Sequence, residues 1–283
     1  MKNSQLPSQR ISAARTFLFV PADRPQRFDK AAGAGADIVI LDLEDAVAPT
    51  AKDFARDAAR SWLASERGVL LRINAAGTQW FEADLALGDL PGVLGLLLPK
   101  AEAGAPLERV TAMKPTVALI ESASGVATVH DIAAVKGVER LAFGTIDLAL
   151  DIETSSDDVL HVIGTQLVIA SRSQGIASPI DGVTPSLQDP SLVEDAMRAS
   201  RKRGFGAKMC IHPAQLLPVR RAFLPTEKEL DWARRVVEAD RISGGAAAAL
   251  EGQMIDRPLV AKAYRTIADA EGSSKFVEPS QNS

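Results

Sequence analysis

The sequence predicts an α/β protein, a (β/α)8 TIM barrel with a C-terminal helical extension. Eight short runs rich in Val, Ile and Leu recur between residues 16 and 212, and helix-patterned stretches separate them. Most of these runs are continuously apolar, which is typical of parallel strands covered on both faces. A doubly wound open sheet is the alternative, but no G-x-G-x-x-G motif follows the first run.

The predicted elements alternate along the chain, as a (β/α)8 barrel requires. The eight strands are predicted at residues 16–21, 37–43, 69–74, 93–100, 116–122, 140–144, 177–181 and 206–212. Helical patterns between them cover residues 51–65, 124–135, 158–174 and 190–203.

The chain continues beyond the eighth strand. Thr226 and Glu229 have the spacing of a capping box, which predicts the start of a helix. A Gly-rich stretch at 243–253 predicts a hinge, and a last helix is predicted from 257 to 270. We therefore divide the chain into a flexible tail (1–14), the TIM-barrel catalytic domain (15–225), a C-terminal helical lid or oligomerisation segment (226–271) and a second flexible tail (272–283).

Composition excludes several classes of function. The 283 residues carry a net charge of only -4, and the basic residues are scattered, so a nucleic-acid partner is not expected. A single cysteine, Cys210, cannot form an internal disulfide, and the three histidines lack zinc-ligand spacing. The first 15 residues lack the apolar core of a signal peptide, and we find no candidate membrane span. These features predict a cytoplasmic protein with no membrane partner.

Charged side chains close several of the predicted strands, at the end of the barrel where such folds place their chemistry. Glu121 ends the fifth run and Asp147 follows the sixth, so the two carboxylates can converge. Adjacent carboxylates repel each other unless a proton or a cation lies between them. Mg²⁺ prefers such oxygen ligands, so we predict a magnesium site here. The alternative is an ion pair of either acid with Lys100 or Arg72.

The stretch ILDLEDAV places Asp42, Glu44 and Asp45 at and just after the second strand. Asp42 is expected to join a strand-end ion network, because buried acids require partners. Glu44 and Asp45 could hold metal-bound waters or orient Arg72. Alternatively, Asp45 caps the following turn and only Glu44 faces the mouth. Arg72 itself presents a planar fork that can bind a ligand carboxylate, or it only neutralises Asp42.

Eight motifs stand in an order that resembles a known family. They are RTFLFVPADRPQRFDKA, DIVILDLEDAV, LLRIN, LLLPKAE, ALIESASG, FGTIDL, MCIHPAQL and EGQMIDRPLVAKA. In order and spacing they resemble the citrate lyase beta-subunit family, which is related to malyl-CoA and citramalyl-CoA lyases within the HpcH/HpaI aldolase superfamily. The resemblance covers about residues 15 to 270.

The resemblance implies a TIM barrel that binds Mg²⁺ through Glu121 and Asp147. It also implies that Arg72 holds the carboxylate of an α-oxo acid such as oxaloacetate. The same acid would contact Glu121 and the backbone of Gly144, Thr145 and Ile146. The aldolase branch of the superfamily uses a histidine shortly after the second strand. This chain has no histidine before His130, which favours the thioester-cleaving branch.

The resemblance also implies a site for the coenzyme A portion of the substrate. Its phosphates would lie near Arg24 and Lys30, and its nucleotide near Ile211, His212 and Pro213. Three of these residues have simpler alternatives. Arg24 and Lys30 could be solvated helix charges, and His212 could be a packed strand end.

In relatives of this type, an acid in the MID motif reaches the active site of a neighbouring subunit. The matching residue here is Asp256, and the Gly-rich hinge before it suits a lid. The resemblance therefore implies a homo-oligomer, a trimer or a multiple of one. As an alternative, Asp256 only caps the last helix, which has Pro258 in its first turn.

The function predicted from these residues is Mg-dependent cleavage of a 3-hydroxy-3-carboxyacyl-CoA thioester. The products would be an acetyl-type CoA thioester and an α-oxo acid, and citryl-, citramalyl- and malyl-CoA are the candidate substrates. The candidate catalytic residues are Asp256, Arg72, Glu44 and Asp45. Two alternatives stay open: the beta subunit of a citrate lyase complex acting on a carrier-protein thioester, and a malyl-CoA-type thioesterase.

Overall fold

A computed structural model describes residues 6–187, 189–243, 248–250 and 253–273. The chain divides into two compact units, residues 1–219 and 220–283. The strands of the first unit are β1 Thr16–Pro21, β2 Ile38–Asp42, β3 Val69–Arg72, β4 Val93–Leu98, β5 Thr116–Ile120, β6 Val138–Phe143, β7 Ala177–Asp181 and β8 Ala207–Cys210. Its helices are α1 Pro7–Ala13, α2 Phe28–Ala32, α3 Lys52–Leu63, α4 Phe81–Leu85, α5 Ala105–Met113, α6 Ala123–Ala127, α7 Val129–Ala134, α8 Thr145–Asp151, α9 Asp157–Ser173 and α10 Pro190–Arg203.

The eight strands form a closed parallel barrel in sequence order, and β8 pairs with β1. All eight predicted strands are therefore confirmed, and so is the predicted (β/α)8 class. Apolar side chains from successive strands fill the interior, among them Phe17, Ile40, Leu70, Val117 and Met209. Buried, continuously apolar strands of this kind are expected where helices cover the outer face of the sheet.

Three of the four predicted helices are confirmed, as α3, α9 and α10. The fourth, predicted as one helix over 124–135, is divided into α6 and α7, which meet at Thr128. Thr128 has φ -111° and ψ 17°, and its hydroxyl donates a hydrogen bond to the Ser124 carbonyl at 3.0 Å. The Thr128 amide donates to the same carbonyl at 3.2 Å, so α6 and α7 follow each other directly at this residue.

The predicted flexible tail over residues 1–14 is wrong for residues 7–13, which form α1. Ile11 is fully buried in the same apolar cluster as Phe17 and Leu70. Gly95 leaves room for it, because a Cβ there would lie 2.9 Å from Ile11 Cδ1 and 2.4 Å from a backbone carbonyl oxygen. The helix thus packs against the amino-terminal end of the barrel.

A buried cation ties α1 to the strands. Arg140, on β6, is 2% exposed and donates hydrogen bonds to the carbonyl oxygens of Ala14 at 2.6 Å, Ile11 at 3.2 Å and Ser178. Burial lowers the pKa of Arg140 to about 9. The carbonyl oxygens are its polar partners among the described residues, so the guanidinium links α1 to β6 and β7.

In the part of the second unit that the structure describes, two helices and a short hairpin follow α11 Leu216–Ala222, which spans the border between the units. Helix α12 Glu227–Ser243 begins at the predicted capping box, in which the Thr226 amide donates to Glu229 Oε2 at 2.8 Å and the Glu229 amide donates to Thr226 Oγ1 at 3.2 Å. Strands β9 Ala248–Leu250 and β10 Gln253–Ile255 pair in antiparallel fashion, and α13 Arg257–Ser273 confirms the last predicted helix.

Some predicted boundaries are not tested. Residues 248–250 and 253 of the predicted hinge (243–253) belong to β9 and β10. Residues 244–247 and 251–252 of the hinge and 274–283 of the second tail lie outside the described residues. The predicted border at 225/226 and the role of 226–271 as a lid stay predictions. In the described ranges, no helix has both the length and the apolar character needed to cross a membrane.

Substitution of Ile11 tests whether α1 is a packed part of the barrel. We expect Ile11→Ala to lower the free energy of unfolding by about 2 to 5 kcal/mol, because it removes a fully buried side chain. Ser12→Ala, at an exposed position on the same helix, is the control and should change it by less than about 0.5 kcal/mol. Urea unfolding measures both, and equal effects would contradict the packing of α1.

Candidate active site at the carboxyl ends of the strands

A cavity of about 510 Å³ opens at the carboxyl ends of the barrel strands. It brings together many residues predicted to act in one site, including Arg72, Glu121 and Asp147. The full lining is Phe19, Pro21, Asp42, Asp45, Ala46, Arg72, Leu119, Glu121, Phe143, Gly144, Thr145, Ile146, Asp147, Val183, Met209 and Ile211. The lining combines charged groups, such as Arg72 and Glu121, with apolar side chains, such as Phe19 and Met209.

Arg72 is paired with Asp42 through two hydrogen bonds. Its Nε donates to Asp42 Oδ1 at 2.7 Å, and its Nη2 donates to Asp42 Oδ2 at 2.6 Å. The remaining nitrogen, Nη1, lies 3.0 Å from Glu44 Oε2 and 3.3 Å from Asp45 Oδ2. The guanidinium carbon also lies 4.9 Å from the centre of the Phe19 ring. Arg72 therefore neutralises Asp42, and Nη1 is the guanidinium nitrogen that makes no hydrogen bond with Asp42.

The electrostatics of this cluster depend on burial and on close charges. Burial alone would lower the pKa of Arg72, but Asp42 outweighs it, and the pKa is raised above its ordinary value. Burial raises the pKa of Glu44 to about 7, although the charge of Arg72 acts in the opposite direction. The nearby carboxylate of Asp45 raises it further. Near neutral pH, Glu44 is therefore protonated in a larger fraction of molecules than an ordinary surface carboxyl group is.

Lys52 holds the loop that carries these acids, and the sequence did not indicate this role. Its Nζ donates to the carbonyl oxygens of Leu43 at 2.7 Å and Glu44 at 2.8 Å, and to Asn74 Oδ1 at 2.7 Å. Burial lowers the pKa of this ammonium group. A lysine at the first position of an amphipathic helix is expected to face solvent. The pattern of α3 therefore gave no signal of the buried contact.

Asn74 extends this network from β2 to α4. Its side-chain amide donates to the Leu43 carbonyl at 3.0 Å, and its backbone amide donates to Asp84 Oδ2 at 2.9 Å. Asp84 is fully buried and also accepts from Arg56 Nη1 at 3.2 Å. The loop that carries Glu44 is thus fixed by a continuous set of buried hydrogen bonds.

One carboxylate oxygen of Glu121 is hydrogen-bonded, and the space around the other is open. Its Oε1 accepts a hydrogen bond from the backbone amide of Lys100 at 2.9 Å. A Cβ on Gly144 would lie 2.4 Å from Glu121 Cβ and 2.6 Å from Oε2, so glycine leaves the space around that oxygen open. Burial raises the pKa of Glu121 to about 8, and the charge of Glu44 adds to the shift. Asp147, on α8, is half-buried and lines the same cavity.

The carboxylates of Glu121 and Asp147 fit a magnesium ion better than zinc. Within the described residues, neither forms an ion pair with a lysine or arginine, so the alternative pairing with Lys100 or Arg72 is not present there. The described ranges also contain no group of three or more His, Cys, Asp or Glu residues arranged to hold a metal. Mg²⁺ needs only one or two protein carboxylates, because water and substrate oxygens fill its other positions.

Residues predicted to bind coenzyme A are more exposed. Arg24 has a side chain that is 54% exposed, with Nε 3.6 Å from Asp23 Oδ1, and Lys30 is also exposed. These two cations lie at the surface after β1. Such exposure suits both possibilities, binding of the coenzyme A phosphates and simple solvation of helix charges. Their role in binding phosphates stays a prediction.

The segment after β8 lies partly at the cavity. Ile211 lines it, whereas Pro213 begins a 3-10 turn, Pro213–Gln215. His212 is exposed rather than packed, and its Nδ1 accepts a hydrogen bond from the Ala214 amide at 3.2 Å. The interpretation of His212 as a packed strand end is therefore wrong, because the ring caps this turn at the surface.

Asp256 lies in the second unit, where it caps a helix. Its Oδ1 accepts a hydrogen bond from the Leu259 amide at 3.1 Å, and the residue is exposed at the start of α13. The alternative predicted from the sequence, an N-cap role, is thus present. An N-cap does not exclude chemistry at the same carboxylate, and the catalytic role stays a prediction.

The fold and this cavity together define a class of protein. A closed parallel barrel with paired acids and a buried arginine at its carboxyl end has the architecture of (β/α)8-barrel enzymes. The sequence profile of the HpcH/HpaI aldolase/citrate lyase family matches residues 15–213. The chain belongs to this family, as its motifs predicted.

Individual relatives agree with this assignment. A citrate lyase subunit beta-like protein of Mycobacterium tuberculosis is 38% identical over 261 residues, which cover 89% of this chain and 94% of the relative. A (3S)-malyl-CoA thioesterase of Cereibacter sphaeroides is 31% identical over 276 residues, covering 93% and 96%. The crystal structure of CitE from M. tuberculosis with magnesium, acetoacetate and coenzyme A has a TM-score of 0.83 at 36% identity, covering 92% of this chain and 99% of that one.

The raised pKa of Glu44 has a measurable effect on stability. The folded state retains a proton on Glu44 that the unfolded chain releases above its ordinary pKa of 4.5. This contribution to the free energy of unfolding therefore decreases as the pH rises from about 4.5 to about 7, by at most about 1.4 kcal/mol per pH unit.

We expect Glu44→Gln to become more stable relative to wild type as the pH rises from 5 to 7.5, when both are measured by urea unfolding. Glu82→Gln is the control. The pKa of Glu82 is lowered by its hydrogen bond with Arg109, so its removal should not reproduce this gain. A stability difference that is independent of pH for Glu44→Gln would contradict the shift.

Proposed function

We propose that the protein is a Mg²⁺-dependent carbon–carbon lyase that acts on a 3-hydroxy-3-carboxyacyl-CoA thioester. The products are an acetyl-type CoA thioester and an α-oxo acid. The observation that carries this proposal is the cavity in which Glu121 and Asp147, without a cation partner among the described residues, lie with Arg72. Citryl-, citramalyl- and malyl-CoA are the candidate substrates.

Glu121 and Asp147 would hold the magnesium ion, Glu121 through the Oε2 atom that Gly144 leaves accessible. When bound, the ion supplies a positive charge that makes the substrate hydroxyl more acidic and stabilises the developing carbonyl. The relatives support this assignment. A structure of the M. tuberculosis citrate lyase beta subunit contains magnesium and oxaloacetate, with a TM-score of 0.68 at 34% identity, covering 77% of this chain and all of that one.

Arg72 would orient the substrate through its Nη1 atom. The two hydrogen bonds with Asp42 fix the plane of the guanidinium, so Nη1 points in one direction. Its more distant partner, Asp45 Oδ2 at 3.3 Å, belongs to a side chain that is 54% exposed. A substrate carboxylate can replace that contact without moving a buried group, whereas Glu44 stays in place beside the guanidinium.

The reaction breaks the bond between the carbon that bears the hydroxyl and the carbon next to the thioester. The hydroxyl releases its proton to solvent water, its carbon becomes the carbonyl of the oxo acid, and the electron pair of the broken bond forms a thioester enolate. The enolate then takes a proton to give the acetyl-type thioester. The apolar side chains that line the cavity, among them Phe19, Leu119, Val183 and Met209, would keep water from this intermediate.

We assign the proton donor to Asp256 of a neighbouring subunit. The remaining features of the proposal follow from the family resemblance. The coenzyme A phosphates lie near Arg24 and Lys30, and the segment from Ile211 to Pro213 faces the nucleotide. The protein is proposed to be a cytoplasmic homotrimer or a multiple of one.

Two further functions are supported by the named relatives. A (3S)-malyl-CoA thioesterase at 31% identity favours hydrolysis of the thioester by water. The citrate lyase subunit beta of Leuconostoc mesenteroides, 30% identical over 278 residues, favours a subunit of a larger complex. Each function makes a different product or requires a different substrate.

One assay separates these functions. The purified protein is incubated with Mg²⁺ and citryl-, citramalyl- or malyl-CoA, and the products are identified by mass spectrometry. A lyase gives an oxo acid and acetyl-CoA, whereas a thioesterase gives free hydroxy acid and CoA. Inactivity with every CoA ester, with activity on a carrier-protein thioester, would contradict our proposal and favour the complex subunit.

The metal site makes a direct prediction. Glu121→Gln and Asp147→Asn should each weaken Mg²⁺ binding by at least about tenfold, because each removes one of two charged ligands. Cleavage should decrease in parallel. Glu102→Gln, at an exposed position outside the cavity lining, is the control. Isothermal titration with Mg²⁺ measures the affinity, and wild-type affinity in both site variants would exclude this metal site.

Asp256 can be tested without disturbing the helix that it caps. Asparagine is also a good N-cap, so Asp256→Asn should retain the thermal stability of the protein. It should reduce turnover by about 100-fold or more if the carboxyl group transfers a proton. Asp256→Ala serves as the comparison, because it loses the cap as well. Normal turnover with Asp256→Asn would reduce the residue to its structural role.

A further inference from the structure

We infer that Lys100 is a positioning residue that holds Glu121 with its backbone amide and Glu44 with its ammonium group. The inference rests on the proposed function, because Lys100 would hold two acids of that site, Glu44 and Glu121, in position. Lys100 lies two residues after β4, is not among the residues that line the cavity, and contacts both acids.

The backbone of Lys100 is in an unfavourable conformation. Its φ is +46°, and Glu153 is the only other non-glycine residue with positive φ in the described chain. This left-handed conformation costs about 1 to 2 kcal/mol for a residue with a Cβ. Such strain persists only where the surrounding structure imposes it, and it is often found at functional sites. Here it accompanies the hydrogen bond from the Lys100 amide to Glu121 Oε1.

The residues after Lys100 explain how the strain is maintained. The Ala101 amide donates to the Leu119 carbonyl on β5 at 3.0 Å. A Cβ on Gly125, in α6, would lie 2.8 Å from the Ala101 carbonyl oxygen, so the turn and the helix are in close contact. The turn is thus fixed between β5 and α6, with the Lys100 amide directed at Glu121. Any residue at position 100 that tolerates this backbone can supply the amide.

The side chain of Lys100 has a separate contact. Its Nζ lies 3.6 Å from Glu44 Oε1, whereas Arg72 Nη1 lies 3.0 Å from Glu44 Oε2. The two cations therefore bind opposite oxygens of one carboxylate. Glu44 is 6% exposed, and its Oε2 has no hydrogen bond of good geometry among the described residues. Lys100 is half-exposed, so its ammonium group approaches Glu44 from the solvent side.

Loss of this ammonium group should alter the site even if the backbone is unchanged. Glu44 would keep a cation at Oε2 only, and the repulsion between Glu44 and Glu121 would lose one of the counter-charges that reduce it. We expect Glu44 to shift relative to Arg72 Nη1, which the hydrogen bonds to Asp42 keep in place. A surface lysine without this role would have none of these effects, since an isolated exposed ion pair contributes little.

The test separates the two parts of Lys100 by substitution. Lys100→Gly keeps the amide and suits positive φ, but lacks the ammonium group. Lys100→Arg keeps a cation. Glu153→Gly is the matched control, because it relieves the same kind of strain at a residue outside the cavity lining.

With the candidate thioester, we expect Lys100→Gly to lower kcat by about tenfold while KM changes by less than about threefold. Its Mg²⁺ affinity should stay within about threefold of wild type, because the amide to Glu121 remains. Lys100→Arg should recover most of the lost kcat, and Glu153→Gly should match wild type. Wild-type kcat in Lys100→Gly, or no recovery with Lys100→Arg, would overturn the inference.

A failure of the proposed function is recognised separately. If wild-type protein cleaves no thioester, titration with pyruvate in the presence of Mg²⁺ replaces the kinetic assay. The inference then predicts about tenfold weaker pyruvate binding for Lys100→Gly, since pyruvate lacks the coenzyme A portion that keeps KM for the thioester nearly constant, and no change for Glu153→Gly. Equal pyruvate affinity in wild type and Lys100→Gly would overturn it on this measurement too.

Discussion

The two-hydrogen-bond ion pair between Asp42 and Arg72 is the contact on which the candidate site depends. The two residues are register partners on β2 and β3, at the point where both strands end. Both are buried, so removal of either partner would leave an uncompensated charge, at a cost of about 3 to 5 kcal/mol. The ion pair therefore holds the guanidinium in place and fixes the direction in which Nη1 faces the cavity.

The other charges are arranged around this pair so that two acids stay uncompensated. Lys52 is fully engaged by two backbone carbonyls and an amide oxygen, and Lys100 faces Glu44. Among the described residues, no cation pairs with Glu121 or Asp147. In a buried, acid-rich cavity this imbalance is relieved either by a proton, which the raised pKa of Glu121 favours, or by a metal ion. The proposed magnesium requirement thus follows from the distribution of cations as much as from the ligands themselves.

The sequence predicted the barrel and most of the cavity because both follow from local patterns. Continuous apolar runs identify buried parallel strands, and the residue that closes each run lies at the catalytic end of the barrel. Burial of Lys52 and Arg140 could not be predicted, because neither has a partner nearby in sequence that marks it as buried. Asp256 stays ambiguous for another reason: the same carboxylate suits both a helix cap and an acid catalyst.

Helix α1 has a consequence for the order of assembly. Its carbonyl groups at Ile11 and Ala14 bind a guanidinium that lies 129 and 126 residues later in the chain. During synthesis the amino-terminal segment therefore leaves the ribosome long before its partner exists. The contacts of this segment with Arg140 can therefore form only after β6 has been translated. Closure of the barrel at this end is thus a late event, and a bulky fusion placed directly before residue 7 would interfere with it.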